Sequence, residues 1–386
     1  MKNLNMKMLP LLNVVNTPEM EQVAIEVLRS GRIASGVYVS AFEDGLAKLL
    51  GQQNVVTTVD MTSAIYLALH LAGVQAGDDV LTSAFACMST NSPIATIGAR
   101  PIWVDMAANS AFISVADFEA AITPKTKAAI LYHLAGYPGP VQEIATICKK
   151  HGIALIEDCD NALLATIDYK NVGGFGDYAA YSFYPNRQIN TTEGGALVCK
   201  KPVDALRARK LRRFGIDGST FRAVSGEISP ASDIPEAGWS MTLNNLCSAL
   251  GLAQLQTVND RIEKTRSNAA ILIEKLSALP NIKILQGMPN SQPVYWALMI
   301  QVESRDAILE QLKLHSVMAS QLHQRNDNYS CFVQSERSLP NTTELQRTVI
   351  ALPCGWWLSA IDLAHIVDAI KSALENVSRA IHKVAE

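Results

Sequence analysis

The chain has 386 residues, 48 % of them apolar and 18 % charged, with a formal net charge of −3. That length suits one large and one smaller lobe, and that apolar content can fill a sizeable core. Acidic and basic residues are interspersed, so no basic block marks a nucleic-acid or anionic-membrane surface, and no apolar run reaches the roughly 18 residues of a membrane span.

The opening MKNLNMKMLPLLNVVNTPEM breaks its apolar stretch with Pro10 and Asn13 and does not read as a signal peptide. Helical apolar spacing covers 18–31 and 40–50. A strand (55–59), a buried helix (63–72), a strand (78–85), a helix (89–98) and a strand (99–105) follow. Next come a short helix (115–122) ended by Thr123-Pro124, a buried strand (128–136), and a helix (140–150) with Lys149 and Lys150 where the helix dipole favours cations. The strand 153–158 ends on two carboxylates. This alternation predicts a mostly parallel sheet covered on both faces, with functional groups at the carboxyl ends of its strands. Asp105, His133, Asp158 and the loop at Ser182 fall there. Residues 217–238 are polar and rich in Ser, Gly and Pro, predicting a long surface loop. One long helix is predicted over 245–279. A compact α+β lobe follows, with strand character in 293–302 and helices over 305–315 and 359–383. The seven Cys form no C-x-x-C pair, which argues against a zinc site or disulfide framework and suits a reducing cytoplasm.

The run YSFYPNRQINTTEGG (181–195) carries the strongest motif. It resembles the cofactor loop of the DegT/StrS-type sugar aminotransferases, within pyridoxal-phosphate (PLP) fold type I, whose pattern is roughly Ser-Phe-His-Pro-x-Lys-x-x-Thr-Thr-Gly-Glu-Gly-Gly. Further segments share the resemblance: GVQAGDDVLTSAF (73–85), AAITPKTKAAILYHLAG (120–136), LIEDCDNA (155–162, against Ile-Glu-Asp-Ala-Ala-Gln-Ala) and GFGDYAAYSFYP (174–185). The resemblance implies a large domain over 26–255, with a mostly parallel sheet of the seven-stranded type covered by helices. It also implies a smaller α+β domain over 256–386 and an N-terminal segment (1–25) that packs with the small domain.

Arg187 stands where the family has its Schiff-base Lys. A guanidinium stays protonated and cannot be the free amine that attacks an aldehyde. The resemblance makes Asp158 the partner of the pyridine nitrogen, and Ser182 and Thr62 phosphate contacts. Thr62 lies in a turn that reads Asp60-Met61-Thr62 where the family has Ser-Gly-Thr. Cys87 replaces a stacking aromatic, Asn161 a Gln, and Ser240 a longer residue that reaches the neighbouring subunit's cofactor. His133 matches the family's His in "H-L-x-G"; as a lone His it reads equally as a satisfied structural residue. His323, Arg325 and Asn326 read either as substrate contacts at the cleft rim or as a solvated loop. Two readings of Arg187 stay open: a fork that binds an anion, or a filler salt-bridged to Asp158.

The resemblance implies a cytoplasmic homodimer with shared sites and a nucleotide-linked sugar or other anionic metabolite as substrate. The replacements point to an enzyme of amino- or deoxy-sugar or natural-product biosynthesis that forms no internal aldimine. PLP or pyridoxamine phosphate (PMP) would then bind only non-covalently, or not at all. A PMP-dependent enzyme and a non-catalytic partner of an active homologue are the alternatives.

Overall fold

The computed structural model describes residues 8–332 and 337–385. In chain order the first half contains α1 (Pro18–Ser30), α2 (Val37–Leu50), β1 (Val55–Thr58), α3 (Met61–Leu71), β2 (Asp79–Ser83), α4 (Met88–Thr96), β3 (Arg100–Val104), α5 (Val115–Ala120), β4 (Thr126–Tyr132), α6 (Val141–His151) and β5 (Ala154–Asp158). Two short strands, β6 (Thr166–Ile167) and β7 (Lys170–Asn171), precede β8 (Tyr178–Ser182), β9 (Gly195–Cys199), α7 (Pro202–Leu211), α8 (Asn245–Ala253) and α9 (Val258–Ser277). The last part contains β10 (Ile282–Ile284), β11 (Ser291–Gln292), β12 (Leu298–Val302), α10 (Arg305–Leu314), α11 (Pro340–Thr348), β13 (Val349–Leu352) and α12 (Ala360–Ala385).

Seven strands form one sheet in the order β1-β9-β8-β5-β4-β2-β3, and β9 is antiparallel to both its neighbours. Successive strand residues feed opposite faces. Leu81, Ala129, Leu131 and Leu155 enter one core, whereas Val80, Ala128, Ile130 and Ile156 enter the other. Both faces are thus apolar, the sequence signature of a sheet covered on both sides. A second sheet, β10-β12-β13, builds the small lobe around its own core with α9, α10 and α12. Leu9 joins that core and bridges to Val317.

Two sequence expectations need correction. The predicted helix 245–279 is two helices, α8 and α9. Gln254 ends the first, and its side chain instead donates to Asn190 O at 2.6 Å and accepts from Asn190 N–H at 3.1 Å. The predicted strand 128–136 stops at Tyr132, because Ala135 (φ 51°) and Gly136 (φ 86°) turn the chain over. A Cβ on Gly136 would lie 2.8 Å from Asn161 O and from Val294, so only glycine suits both the dihedral and the space. The pair α11–β13 had no counterpart among the predicted elements.

Asp105, at the end of β3, clasps α11. Its carboxylate accepts from Asn341 N–H (3.1 Å) and Nδ2 (3.0 Å), and from Thr342 N–H (2.8 Å) and Oγ1 (2.7 Å). A carboxylate at a helix N-terminus meets both the free N–H groups and the dipole. The clasp joins the large sheet to the small lobe.

The start of β9 meets the first turn of α3 backbone to backbone. A Cβ on Gly195 would lie 2.6 Å from Asp60 C, Asp60 O and Met61 N. Gly195→Ala must therefore push β9 and α3 apart, with an expected loss of about 1–3 kcal/mol by overpacking. An unchanged denaturation midpoint would show that the contact relaxes freely.

Candidate functional site

Five side chains converge beyond the carboxyl ends of β4 and β5, where sheets of this kind place their ligands. They are Tyr132, Asp160, Asn161, Arg187 and His323. Arg187 forms a forked pair with Asp160: Nε donates to Oδ1 at 2.6 Å and Nη2 to Oδ2 at 2.9 Å. Asp160 is buried and Arg187 nearly so, with side-chain exposures of 3 % and 11 %. Nη1 donates to Asn186 Oδ1, and the guanidinium sits 5.2 Å from the Trp296 ring centre. Burial works against the charge on Arg187, but the Asp160 carboxylate prevails and holds it above its ordinary value.

The partner of Arg187 is therefore Asp160 and not Asp158. Asp158 is fully buried; its carboxylate accepts from Thr90 Oγ1 at 2.7 Å and from Asp160 N–H at 3.0 Å. Burial, followed by the nearby Asp160 charge, pushes its pKa up to about 7. Sequence reasoning passed over Asp160. Its signal lay in LIEDCDNA, where the family pattern has Ala at that position.

Asn161 Nδ2 donates to Tyr132 Oη (3.0 Å) and Asp160 Oδ2 (3.1 Å), while its Oδ1 is buried with no partner. The Tyr132 hydroxyl lies 3.3 Å from His323 Nε2. Burial raises the Tyr132 pKa well above its usual value. Burial also pushes the His323 pKa down to about 4, so the imidazole is neutral at physiological pH. Phe85 packs edge-on against His323, with ring centres 5.6 Å apart. The small lobe thus does deliver His323 to this cleft.

Other candidates sit elsewhere or are already engaged. His133 and Glu157 lie on the far side of the sheet from Asp158, since neighbouring strand residues alternate. His133 Nδ1 accepts from Gly139 N–H at 3.0 Å, and Nε2 lies 3.2 Å from Glu157 Oε2. Glu157 also accepts from Gly173, Phe175 and Gly176 N–H at 2.6–2.7 Å. His133 thus supports Glu157, which in turn holds the loop 173–176. Together with Cys159, these groups place three metal-ligand atoms within 4.8 Å, but both imidazole nitrogens and both carboxylate oxygens are taken.

Arg325 forks onto Asp327 and also donates to Thr343 Oγ1, so its charge is spent within the small lobe. Asn326 is buried; its Nδ2 donates to Ala86 O at 3.0 Å and its Oδ1 accepts from Asn91 Nδ2 at 2.8 Å. Both side chains are thus engaged in ties within the protein. Met61 turns its side chain into the core beside Val56 and Ile65. Ser240 is exposed and bridges to Arg213 through its backbone. Cys87 is half-buried at the N-cap of α4.

The first turn of α3 is capped from within. Asp60 Oδ1 accepts from Ser63 N–H at 2.7 Å, and Thr58 Oγ1 donates to Asp60 O at 2.7 Å. Thr62 is half-buried in that turn. Ser182 Oγ accepts from Tyr184 N–H at 3.3 Å.

Residues 15–371 match the DegT/DnrJ/EryC1/StrS aminotransferase family. The chain belongs to that family. It is 32 % identical over 256 residues to the GDP-perosamine synthase of Vibrio cholerae, covering 66 % of this chain and 67 % of that protein. It is 25 % identical over 376 residues to the spore coat polysaccharide biosynthesis protein SpsC of Bacillus subtilis (strain 168), covering 95 % and 96 %. Among solved structures, the sugar aminotransferase CalS13 from Micromonospora echinospora superposes with a TM-score of 0.89 at 28 % identity, covering 95 % of this chain and all of that one. AtS13 from Actinomadura melliaura gives 0.88 at 31 %, covering 95 % and 99 %. The fold is thus the PLP type I fold of sugar aminotransferases, with helices over a mostly parallel sheet. Among the described residues no helix is long and apolar enough to cross a membrane.

Proposed function

We propose that this chain is a divergent cytoplasmic enzyme of amino- or deoxy-sugar or natural-product biosynthesis that forms no internal aldimine. In this reading it is a homodimer, and its cleft takes a nucleotide-linked sugar or a comparable anionic metabolite. The carrying observation is the buried Arg187–Asp160 fork, two charged residues where the family pattern has Lys and Ala. Family membership supports the sugar-biosynthetic context, as do relatives named for perosamine synthesis and spore coat polysaccharide.

The residues present do not fit PLP as the family pattern holds it. The Asp60 carboxylate takes an N–H of the α3 turn that a phosphate would need, and like charges repel there. The Asp160 carboxylate lies beside Asp158 and weakens it as an anionic partner for a pyridinium. Cys87 offers far less contact area than an aromatic ring. What remains in the cleft are groups suited to proton transfer and hydroxyl recognition: Asp158, whose pKa lies near neutrality, the neutral His323, and the Tyr132–Asn161 pair. A second reading, PMP held without a covalent link, is favoured by the survival of Asp158 beneath the site.

Titration of the purified protein with PLP and with PMP, followed by absorbance, tests both readings. The expected result is no shifted PLP band and no saturable uptake at millimolar PLP or PMP. Saturable PMP binding would select the second reading, and a covalent PLP band would overturn both. Arg187→Lys alone is expected to gain little, because Asp160 would keep the new ammonium protonated.

A further inference from the structure

Beside Arg187 lies a small, half-open cleft of about 40 Å³ between the N-terminal segment, the loop 186–188, α9 and the small lobe. Its lining includes Arg187, Arg261, Tyr295, Trp296, Trp356 and Trp357, and no Asp or Glu. Arg187 is paired with Asp160, whereas Arg261 has no direct carboxylate contact among the described residues. Arg261 donates only to uncharged acceptors, Nη1 to Thr257 Oγ1 at 2.7 Å and Nη2 to Gln188 O at 2.9 Å. Its Nε is buried with no partner, and so is Trp357 Nε1. The adjacent Asp260 is exposed; its charge acts on Arg261 but does not offset the burial that lowers the Arg261 pKa.

Two buried N–H donors left unmet cost free energy unless something accepts from them. A guanidinium edge suits the oxygens of a carboxylate or phosphate, and aromatic walls suit the apolar body of the ligand. We propose that this cleft is an oxyanion-binding site in which Arg261 neutralises a carboxylate or phosphate and the Trp and Tyr walls hold the rest of the ligand. The proposal rests on the reading of the neighbouring cleft as one that takes an anionic metabolite, and it assigns where the anionic part sits. The bond from Arg261 to Gln188 O ties the site directly to the residue after Arg187, so occupancy bears on the position of the loop that carries the Arg187–Asp160 fork.

Calorimetric titration of the whole protein with inorganic phosphate, succinate and uridine diphosphate tests the proposal. At least one probe is expected to bind saturably. Preference for the diphosphate identifies a nucleotide as the source of the oxyanion, and preference for succinate identifies a carboxylic acid. Arg261→Met is expected to weaken that binding at least about tenfold. If that variant does not fold, Arg261→Lys keeps the charge and loses Nε and the fork, and at least about tenfold weaker binding is again expected. Absence of saturable binding by all three probes overturns the proposal, as does unchanged affinity in the variant that folds. Cofactor uptake is read separately by absorbance, so this failure is distinguishable from failure of the aldimine-free reading.

Discussion

Asp160→Ala is expected to remove about 3–5 kcal/mol of unfolding free energy, because it leaves the Arg187 guanidinium buried without its carboxylate. The forked geometry and the 3 % exposure of Asp160 make solvent a poor substitute. Arg187→Met alone is expected to be costly for the mirror reason: Asp160 would then stand as an unpaired carboxylate beside Asp158. The double variant should recover much of either loss, since removing both charges and filling the space with an apolar chain is often close to neutral. Urea denaturation of the four proteins of this cycle measures the coupling. Additive losses, with no recovery in the double variant, would show that the two residues act independently.

Asp158→Asn is expected to stabilise the protein at pH 8 by a few kcal/mol and to change little near pH 4. The folded-state pKa of Asp158, about 7, lies above that of a solvated carboxyl. A group raised in this way contributes stability that is fully present below its unfolded pKa. That contribution is lost as pH rises through the folded value, between about 4 and 7. Asparagine has no proton to lose, and it can keep both hydrogen bonds: its Oδ1 accepts from Asp160 N–H, and its Nδ2 donates to Thr90 Oγ1. The difference in denaturation free energy between wild type and variant, measured from pH 4 to pH 8, should therefore grow with pH. A flat difference would mean that Asp158 keeps an ordinary carboxylate pKa.

The alternation of strands and helices was legible because each strand of the large sheet is buried on both faces and reads as a short apolar run, such as AAILY before His133. The helix predicted over 140–150 is α6, and Lys149 and Lys150 do fall in its last turn. Side-chain choices that periodicity does not encode were missed. Gln254 has a helix-compatible sequence around it, yet its amide bonds across to Asn190 and the helix ends there. His133, which read equally as a site residue and as a structural one, lies on the face of Glu157. Residue type alone could not separate Arg325, spent on Asp327, from His323, which faces Tyr132. The fork of Asp160 and Arg187 joins residues 27 positions apart. It was visible only as two departures from one family pattern, and nothing in the sequence says that the two touch.

The Asp105 clasp has a consequence for how ligands are selected. Four hydrogen bonds fix the first turn of α11 to the end of β3, and Asn326 adds a second tie, to Ala86 and Asn91 near the start of α4. Two anchors on different segments of the small lobe suppress rocking about either one. These ties hold the small lobe against the large sheet at two separate places beside the cleft, so a ligand that needed the lobes to part would have to break both sets of bonds.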